Sequence, residues 1–191
     1  MRKLDKLTTN DMELALAMSK SSPCNFVKNQ IVAVRCAEIF GHETDLVSVN
    51  KTGYATEVEI KISKADFKKD FDKSHYHESG FIKYFYYAVP YYMIDFALEN
   101  APEGVGVMMI TPAKNFGRVT IMREAIVRKG TRKVPDDKIL KMERYMGMRY
   151  WSLLHKVRKY FWDQVVKDYQ KEQKEQQKRI LNRKILKRIY L

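Results

Sequence analysis

Two runs rich in β-branched residues, 44–50 and 54–63, flank the short segment 51–53, which reads Lys-Thr-Gly. Strand-forming runs on either side of a three-residue loop that ends in glycine predict a β-hairpin with a bulge. If these three residues form the loop, Asn50 pairs with Tyr54. The turn therefore fixes which residues of the two strands lie opposite one another.

Acidic side chains meet on one face of this predicted hairpin. Counting outward from the loop places Asp45 opposite Glu59, and residues two apart on a strand project to the same face, so Lys61 joins them. Carboxylate oxygens are ligands for Mg²⁺, and a lysine beside them can hold or deprotonate a water molecule. This combination indicates hydrolysis of phosphodiester bonds.

The second strand has a competing interpretation, because alternating charged and apolar residues are also typical of a solvated sheet edge with surface ion pairs. The positions between the charged ones, Val58, Ile60 and Ile62, are apolar. That alternation, together with the register that brings Asp45 to the other carboxylate, favours a site over an ion-pair ladder. Glu57 shares the charged face, and we expect it to be solvated or to support the site from behind.

Composition narrows the class of protein. The chain has 191 residues, a formal net charge of +13 and 45% apolar residues, which suits one compact domain with an appendage. No apolar run is long enough to cross a membrane, the first residues do not form a signal peptide, and Cys24 and Cys36 lack metal-type spacing. We therefore expect a cytoplasmic protein in a reducing compartment. The basic excess favours a polyanionic partner, although a membrane surface or a merely basic protein would show it too.

The remaining chain alternates helical and strand patterns. An apolar stripe from Ile31 to Phe40, with Gly41 placed as a C-cap, predicts a helix directly before the hairpin. The order strand, helix, strand predicts that the second hairpin strand lies parallel to the aromatic run 81–89. Further helices are expected from Asn10 or Asp11 to Met18, over 64–73 after the capping residue Ser63, and over 91–98, with further strands over 106–110 and 119–127.

Beyond residue 130 the composition shifts to a helical pattern that is almost free of glycine and proline. We predict a nuclease-like core over 1–130 and a helical, basic extension over 131–191. The basic end from Lys178 onward is interpreted as a solvated helix, a phosphate-contacting tail or a homodimer seam. The apolar residues expected to cover the sheet are Leu140, Met142, Tyr145, Met146, Tyr150, Trp151, Leu154 and Val157.

Four segments together resemble a known family: Asp45, the run 57–61 (Glu-Val-Glu-Ile-Lys), the run 63–67 (Ser-Lys-Ala-Asp-Phe) and the run 84–90 (Tyr-Phe-Tyr-Tyr-Ala-Val-Pro). They resemble the PD-(D/E)XK nuclease superfamily, and within it most of all the MmcB-like DNA repair group and related phage-type proteins. The resemblance covers about 26–127. It implies an α/β, restriction-endonuclease-like fold, a central mixed sheet flanked by helices, with a Mg²⁺ site on the hairpin.

Carried over by position, the resemblance implies roles for individual residues. Asp45 and Glu59 would be metal ligands together with the carbonyl of Ile60, and Lys61 would align the attacking water. A glutamate from the preceding helix often joins such a site, and Glu38 is the candidate here, with Glu43 a poorer one. The chain departs from the family pattern because the predicted first helix leads almost directly into the Asp45 strand, without the strand that usually lies between them.

Several cationic residues near the hairpin are candidates for nucleic-acid contacts. Lys64, Lys68 and Lys69 follow the site on a helix and could touch phosphates, and an ordinary solvated face is the alternative. His77, in a polar loop, is a candidate DNA contact, although a solvent position is the usual one. The tyrosines of 84–87 are expected to pack in the core.

The function expected from the sequence is that of a Mg²⁺-dependent nuclease, with Mn²⁺ as a substitute, acting on DNA rather than RNA. The alternatives are a non-catalytic nucleic-acid-binding protein and an assembly protein.

Overall fold

The computed structural model describes residues 6–20, 26–36, 39–70, 79–114 and 117–189, except for the side chains of Val27 and of 180–189. The chain forms two compact units, Met1–Met146 and Gly147–Leu191. A six-stranded mixed sheet occupies the first unit, and its strands lie side by side in chain order. The expected α/β class with a central mixed sheet and a helical C-terminal part is therefore confirmed.

The strands of this sheet change direction in the middle. The first three run antiparallel, the third to fifth run parallel, and the sixth is antiparallel again, which confirms the predicted parallel pairing after the hairpin. The sixth strand is shorter than the predicted 119–127. The elements are α1 (Thr9–Ala17), β1 (Ile31–Cys36), β2 (Thr44–Val49), β3 (Ala55–Ile60), α2 (Lys64–Lys69), β4 (Ile82–Pro90), α3 (Ile94–Asn100), β5 (Gly106–Thr111), β6 (Arg118–Arg123) and α4 (Asp136–Ile189).

The hairpin has the predicted register. Its pairs run from Leu46 opposite Val58 to Val49 opposite Ala55. At the loop, the Asn50 amide donates to the Tyr54 carbonyl over 3.0 Å. Gly53 adopts a φ of +86°, a conformation that glycine reaches without a steric penalty. Loop chemistry and pairing therefore agree, and the register is set locally.

The prediction of a helix before the hairpin is wrong. Residues 31–36 form β1, which pairs antiparallel with β2 from Ile31 opposite Val49 to Cys36 opposite Thr44. The β-branched residues at 31, 32 and 34 suit a strand better than a helix, and pairing with a neighbouring strand reinforces that preference. Gly41, with a φ of +92°, belongs to the turn between β1 and β2 rather than to a helix end. A strand therefore lies where the sequence predicted a helix, and it pairs with the Asp45 strand.

Each face of the sheet carries its own apolar cluster. On one face Val47, Phe85 and Val89 pack with Phe67 of α2 and with the start of α4. On the other face α1 contributes the fully buried Met12 and Leu16, which cover a second set of strand side chains. That second set includes Leu46, Val58, Ile60, Tyr86 and Met108. The charged residues of β3 lie on the first face, so the helices α2 and α3 and the start of α4 determine their surroundings.

The helix predicted after residue 135 is present, but its expected packing is only partly right. Met142 is fully buried, and Ile139 and Met146 pack beside it on the first cluster. The other six residues expected to cover the sheet are instead exposed: Leu140, Tyr145, Tyr150, Trp151, Leu154 and Val157. The boundary between the two compact units lies after Met146, inside α4. No helix in the described part of the chain is both long enough and apolar enough to cross a membrane.

Candidate active site

A pocket of about 280 Å³ lies at the end of the β2–β3 hairpin. Four of the predicted site residues, Asp45, Glu59, Ile60 and Lys61, line this pocket. Residues from both flanking helices complete its wall: Thr9 from α1, and Asp66, Lys69 and, directly after α2, Asp70. The hairpin register therefore brings together the side chains that the sequence pattern singled out.

Asp45 is held in place by the backbone of the neighbouring strand. One step beyond the pair Leu46–Val58, the register places Asp45 beside Glu59. There the Asp45 Oδ2 atom accepts a hydrogen bond from the Ile60 amide over 2.8 Å. A carboxylate thus takes the place of a strand carbonyl where the two strands stop pairing. This bond fixes the direction of the Asp45 side chain, which is half-buried at the pocket.

Lys61 is the cationic centre of the site, and its side chain is almost completely buried. Its ammonium donates to Glu59 Oε2 over 3.0 Å and to Asp70 Oδ1 over 2.7 Å. Burial by itself lowers the pKa of Lys61, but the charge of Glu59 and the hydrogen bond to Asp70 outweigh burial, so the pKa stands above its ordinary value. Lys61 therefore keeps its proton at neutral pH and is a fixed positive charge that donates hydrogen bonds.

Asp70 is the residue that sequence reasoning missed. Its carboxylate is buried directly after α2, where one oxygen accepts from Lys61 and the other accepts from the Tyr87 hydroxyl over 2.8 Å. Burial, followed by the charge of Asp70, raises the pKa of Tyr87, which therefore remains a neutral donor. A usable signal was present in the sequence, because Asp70 follows the apolar Phe67 by three residues and so shares its inward face.

Glu57 lies deeper than predicted. It is fully buried two residues before Glu59 on the same face of β3, and its Oε1 atom lies 2.7 Å from His42 Nε2. The expectation of a solvated Glu57 is wrong because the helices on this face cover the middle of β3. The other expectation, a residue that supports the site from behind, agrees with its position.

The remaining predicted residues divide into three groups. Lys69 lines the pocket, whereas the Lys64 and Lys68 ammonium groups lie over the ring of Phe96, 5.0 and 5.9 Å from its centre. All three lysines are exposed on α2, as is Glu43 in the turn before β2. Glu38 and His77 lie outside the described residues. The predicted core positions of Tyr86 and Tyr87 are confirmed, since both are almost fully buried.

The donor set can be tested for its fit to a metal ion. In the residues that the structure describes, no group of three or more histidine, cysteine, aspartate or glutamate side chains is arranged to hold a metal. Mg²⁺, however, keeps several of its waters and commonly takes only one or two protein carboxylates along with substrate phosphates. Asp45 and Glu59 supply two carboxylates at one pocket, which fits that modest requirement.

Comparisons with known proteins do not assign an activity to this chain. The chain matches no family model, and no curated protein matches it. A solved structure of a protein of unknown function from Silicibacter pomeroyi is similar, with a TM-score of 0.49 and 21% sequence identity over 64% of this chain and 78% of that one. The function must therefore be inferred from the residues of the site.

Proposed function

We propose that this protein is a metal-dependent nuclease that hydrolyses phosphodiester bonds of DNA, with Mg²⁺ as its ion and Mn²⁺ as a substitute. The proposal includes a restriction-endonuclease-like fold of the PD-(D/E)XK type. The observation that supports it most is the convergence of Asp45, Glu59, Ile60 and Lys61 on one pocket at the end of a hairpin. A strand, β1, lies between α1 and the Asp45 strand, and this order supports the proposed fold.

The proposed roles follow from the contacts. Asp45 and Glu59, together with the Ile60 carbonyl, would hold the ion, which would neutralise the scissile phosphate and lower the pKa of the attacking water. Lys61 remains protonated and would orient that water and stabilise the negative charge that develops in the transition state. An ammonium has three donor hydrogens. Two are used by Glu59 and Asp70, and no partner for the third is found within the described residues.

Asp70 gives this arrangement a further property. If Glu59 gives an oxygen to a metal, its contact with Lys61 weakens, and the 2.7 Å bond to Asp70 still anchors the ammonium. Asp70 is in turn fixed by Tyr87. We therefore assign Asp70 and Tyr87 as positioning residues, which act on the reaction through Lys61.

A polyanionic substrate accords with the charge of the chain. The net charge is +13, and exposed lysines of α2 lie next to the pocket or one turn away from it. Cations near the scissile bond bind phosphates without reading base sequence, so affinity should fall as salt rises. Replacing Lys64, Lys68 and Lys69 by glutamine should flatten that salt dependence by about one logarithmic unit for each lost phosphate contact.

Cleavage assays with purified protein test the proposal. Supercoiled and linear DNA should be cut with Mg²⁺ or Mn²⁺ and should stay intact in EDTA, with little turnover in Ca²⁺. The isosteric variants Asp45→Asn and Glu59→Gln should each lower the rate at least about a hundredfold. Glu103→Gln, which alters an exposed turn, is the matched control and should cleave normally. Cleavage that is equal with and without chelator would exclude the metal mechanism.

A non-catalytic nucleic-acid-binding protein is the second candidate, and one observation favours it. Lys61 is already compensated by two buried carboxylates, an arrangement that also occurs as a purely structural ion-pair network. Such a protein would bind DNA in EDTA, as measured by fluorescence anisotropy, and would show no cleavage with any divalent ion. In that case Asp45→Asn would leave DNA affinity unchanged, because no bound ion would contribute to it.

A further inference from the structure

The second unit carries an apolar surface that the proposed nuclease activity does not use. Twelve large apolar residues between Gly147 and Tyr169 are exposed, and Trp162 is 68% exposed. Scattered exposed apolar residues are ordinary, whereas a contiguous set on one helix marks an interaction surface. The twelve are Met148, Tyr150, Trp151, Leu153, Leu154, Val157, Tyr160, Phe161, Trp162, Val165, Val166 and Tyr169.

Five of these residues form a single line along α4. Tyr150, Leu154, Val157, Phe161 and Val165 follow one another at intervals of three or four residues, so they lie on one side of the helix. We call these five residues the apolar stripe. It continues the spacing of Met142 and Met146, which in the first unit pack into the core below the sheet. Beyond Met146 the helix therefore keeps the apolar spacing of a packed face, but these side chains are exposed.

Charge distribution decides what can cover the apolar stripe. None of its five residues is charged; Lys156 and Lys159 lie on the other side of the helix, and Arg158 lies at one edge of the stripe. A nucleic acid or an anionic membrane surface would be drawn to those cations and not to the stripe. A second apolar stripe can cover the first without burying an unpaired charge, which would be costly.

We propose that the apolar stripe is the contact through which two copies of this chain associate, helix against helix. A two-fold contact uses the same patch on both partners, and an uncharged apolar stripe is complementary to itself. The five stripe residues together with the flanking Trp151, Leu153 and Tyr169, at roughly 100 Å² each, would remove about 800 Å² per copy, the size of a standard interface. The proposal places the dimer seam in 150–165, upstream of the basic end.

The two tryptophans make this association directly measurable. Trp151 and Trp162 are the only tryptophans of the chain, and both lie beside the apolar stripe. Light scattering of the full-length protein should give twice the monomer mass of 22.6 kDa. Tryptophan emission should lie at the short wavelengths of a buried indole and should shift to longer wavelengths on dilution through the dissociation constant.

Matched variants locate the contact. Leu154→Glu and Phe161→Glu place a charge on the apolar stripe, whereas Ser152→Glu places the same charge on the opposite, exposed side of α4. The stripe variants should raise the dissociation constant at least about thirtyfold, and the Ser152 variant should leave it unchanged. If circular dichroism shows that a glutamate variant loses helicity, Leu154→Ala and Phe161→Ala replace it, because alanine preserves helix propensity. These variants should also raise the dissociation constant.

Three results would overturn the proposal. One is a mass of 22.6 kDa at every concentration up to about 100 µM. Another is a dimer that survives the stripe variants, because its contact would lie elsewhere. The third is an emission shift that requires vesicles containing anionic lipid or added DNA, because the occupant would then be a membrane or a nucleic acid. None of these measurements depends on cleavage, so the dimer proposal and the nuclease proposal are tested independently.

Discussion

The Lys61 ammonium donates a 2.7 Å hydrogen bond to Asp70, a carboxylate that lies nine residues later, directly after α2. The same ammonium contacts Glu59, which lies two residues earlier on β3. Lys61 therefore connects the hairpin to the helix that follows it. Because both carboxylates and the lysine are buried, stability and the proposed catalysis depend on the same cluster.

Replacement of Lys61 by alanine should affect folding as well as cleavage. The variant leaves two buried carboxylates without their cation, and breaking a buried pair in this way costs about 3–5 kcal/mol. We expect urea denaturation to show that loss in the free energy of unfolding. Lys64→Ala, an exposed lysine three residues later, is the control and should change stability by less than about 0.5 kcal/mol. Equal stabilities for the two variants would contradict the assigned burial.

Asp70→Asn should separate positioning from folding. The amide oxygen of asparagine can still accept from Tyr87, but the negative charge that anchors Lys61 is lost. We expect kcat to fall at least about tenfold with little change in KM, because the interaction acts on the transition state. Asp70→Glu should restore part of the rate. Unchanged kcat in Asp70→Asn would remove this residue from the mechanism while leaving the metal-dependent cleavage of the wild type intact.

Stability should decline in alkaline solution because of two groups in this cluster. The pKa values of Lys61 and Tyr87 are both raised above their ordinary values of 10.5 and 10.0. Above about pH 10 the unfolded chain therefore releases protons that the folded chain retains. The contribution of the two groups to the free energy of unfolding is complete below pH 10 and falls as pH rises. Each group makes the free energy of unfolding fall with pH, with a slope that approaches about 1.4 kcal/mol per pH unit.

Urea denaturation between pH 8 and pH 11 measures this slope. Tyr87→Phe should remove the tyrosine part of it, and the same substitution at the exposed Tyr160 should remove none. A Tyr87→Phe protein with the wild-type slope would show that Tyr87 ionises with an ordinary pKa.

His42→Ala should destabilise the protein although it lies outside the proposed chemistry. The variant removes the imidazole that lies 2.7 Å from the fully buried Glu57 carboxylate. Losing one member of a buried polar pair costs about 2–4 kcal/mol. His155→Ala, an exposed position on α4, is the matched control. Thermal unfolding followed by circular dichroism compares the two, and equal midpoints would mean that the His42 contact contributes nothing.

Two glycines should respond in opposite directions to alanine. At Gly106 an added Cβ would clash with the ring of Tyr86 and come within 2.9 Å of the Ala125 backbone nitrogen, so overpacking should cost about 1–3 kcal/mol. At Gly147, inside α4, a Cβ meets nothing within 4 Å, and alanine should stabilise the helix by about 0.5–1 kcal/mol. Denaturation midpoints that move in the same direction would contradict this pair of predictions.

The parts of the fold that depend on local chemistry were predictable from the sequence. Loop residues 51–53 fix the hairpin register, and the register alone places Asp45 beside Glu59. The helix expected over 31–40 was wrong because a short apolar run with β-branched residues has no clear period, and pairing with β2 decides its conformation. The packing of α4 was also overestimated, because periodicity shows which face is apolar but not where its partner ends.

Asp70 shows the same limit at the site. Its role depends on the end of a short helix meeting Lys61, directly after β3, and a tyrosine of β4, two contacts between elements that no spacing rule connects. The pair formed by His42 and Glu57 is likewise tertiary, since the imidazole comes from the turn before β2. The carboxylates on the hairpin were predictable because sequence neighbours hold them, whereas their buried partners come from other elements.

The parallel pairing of β3 with β4 has a consequence for how the site is assembled in time. Asp45, Glu59 and Lys61 belong to a hairpin, which closes within microseconds. Tyr87, which steadies Asp70, arrives only when the chain has crossed over through α2 and docked β4 beside β3, a slower step because its contacts are distant in sequence. During synthesis, a chain that has left the ribosome only as far as α2 holds the proposed metal ligands without the strand that orders them. The site is thus completed late, after its acidic residues have already met.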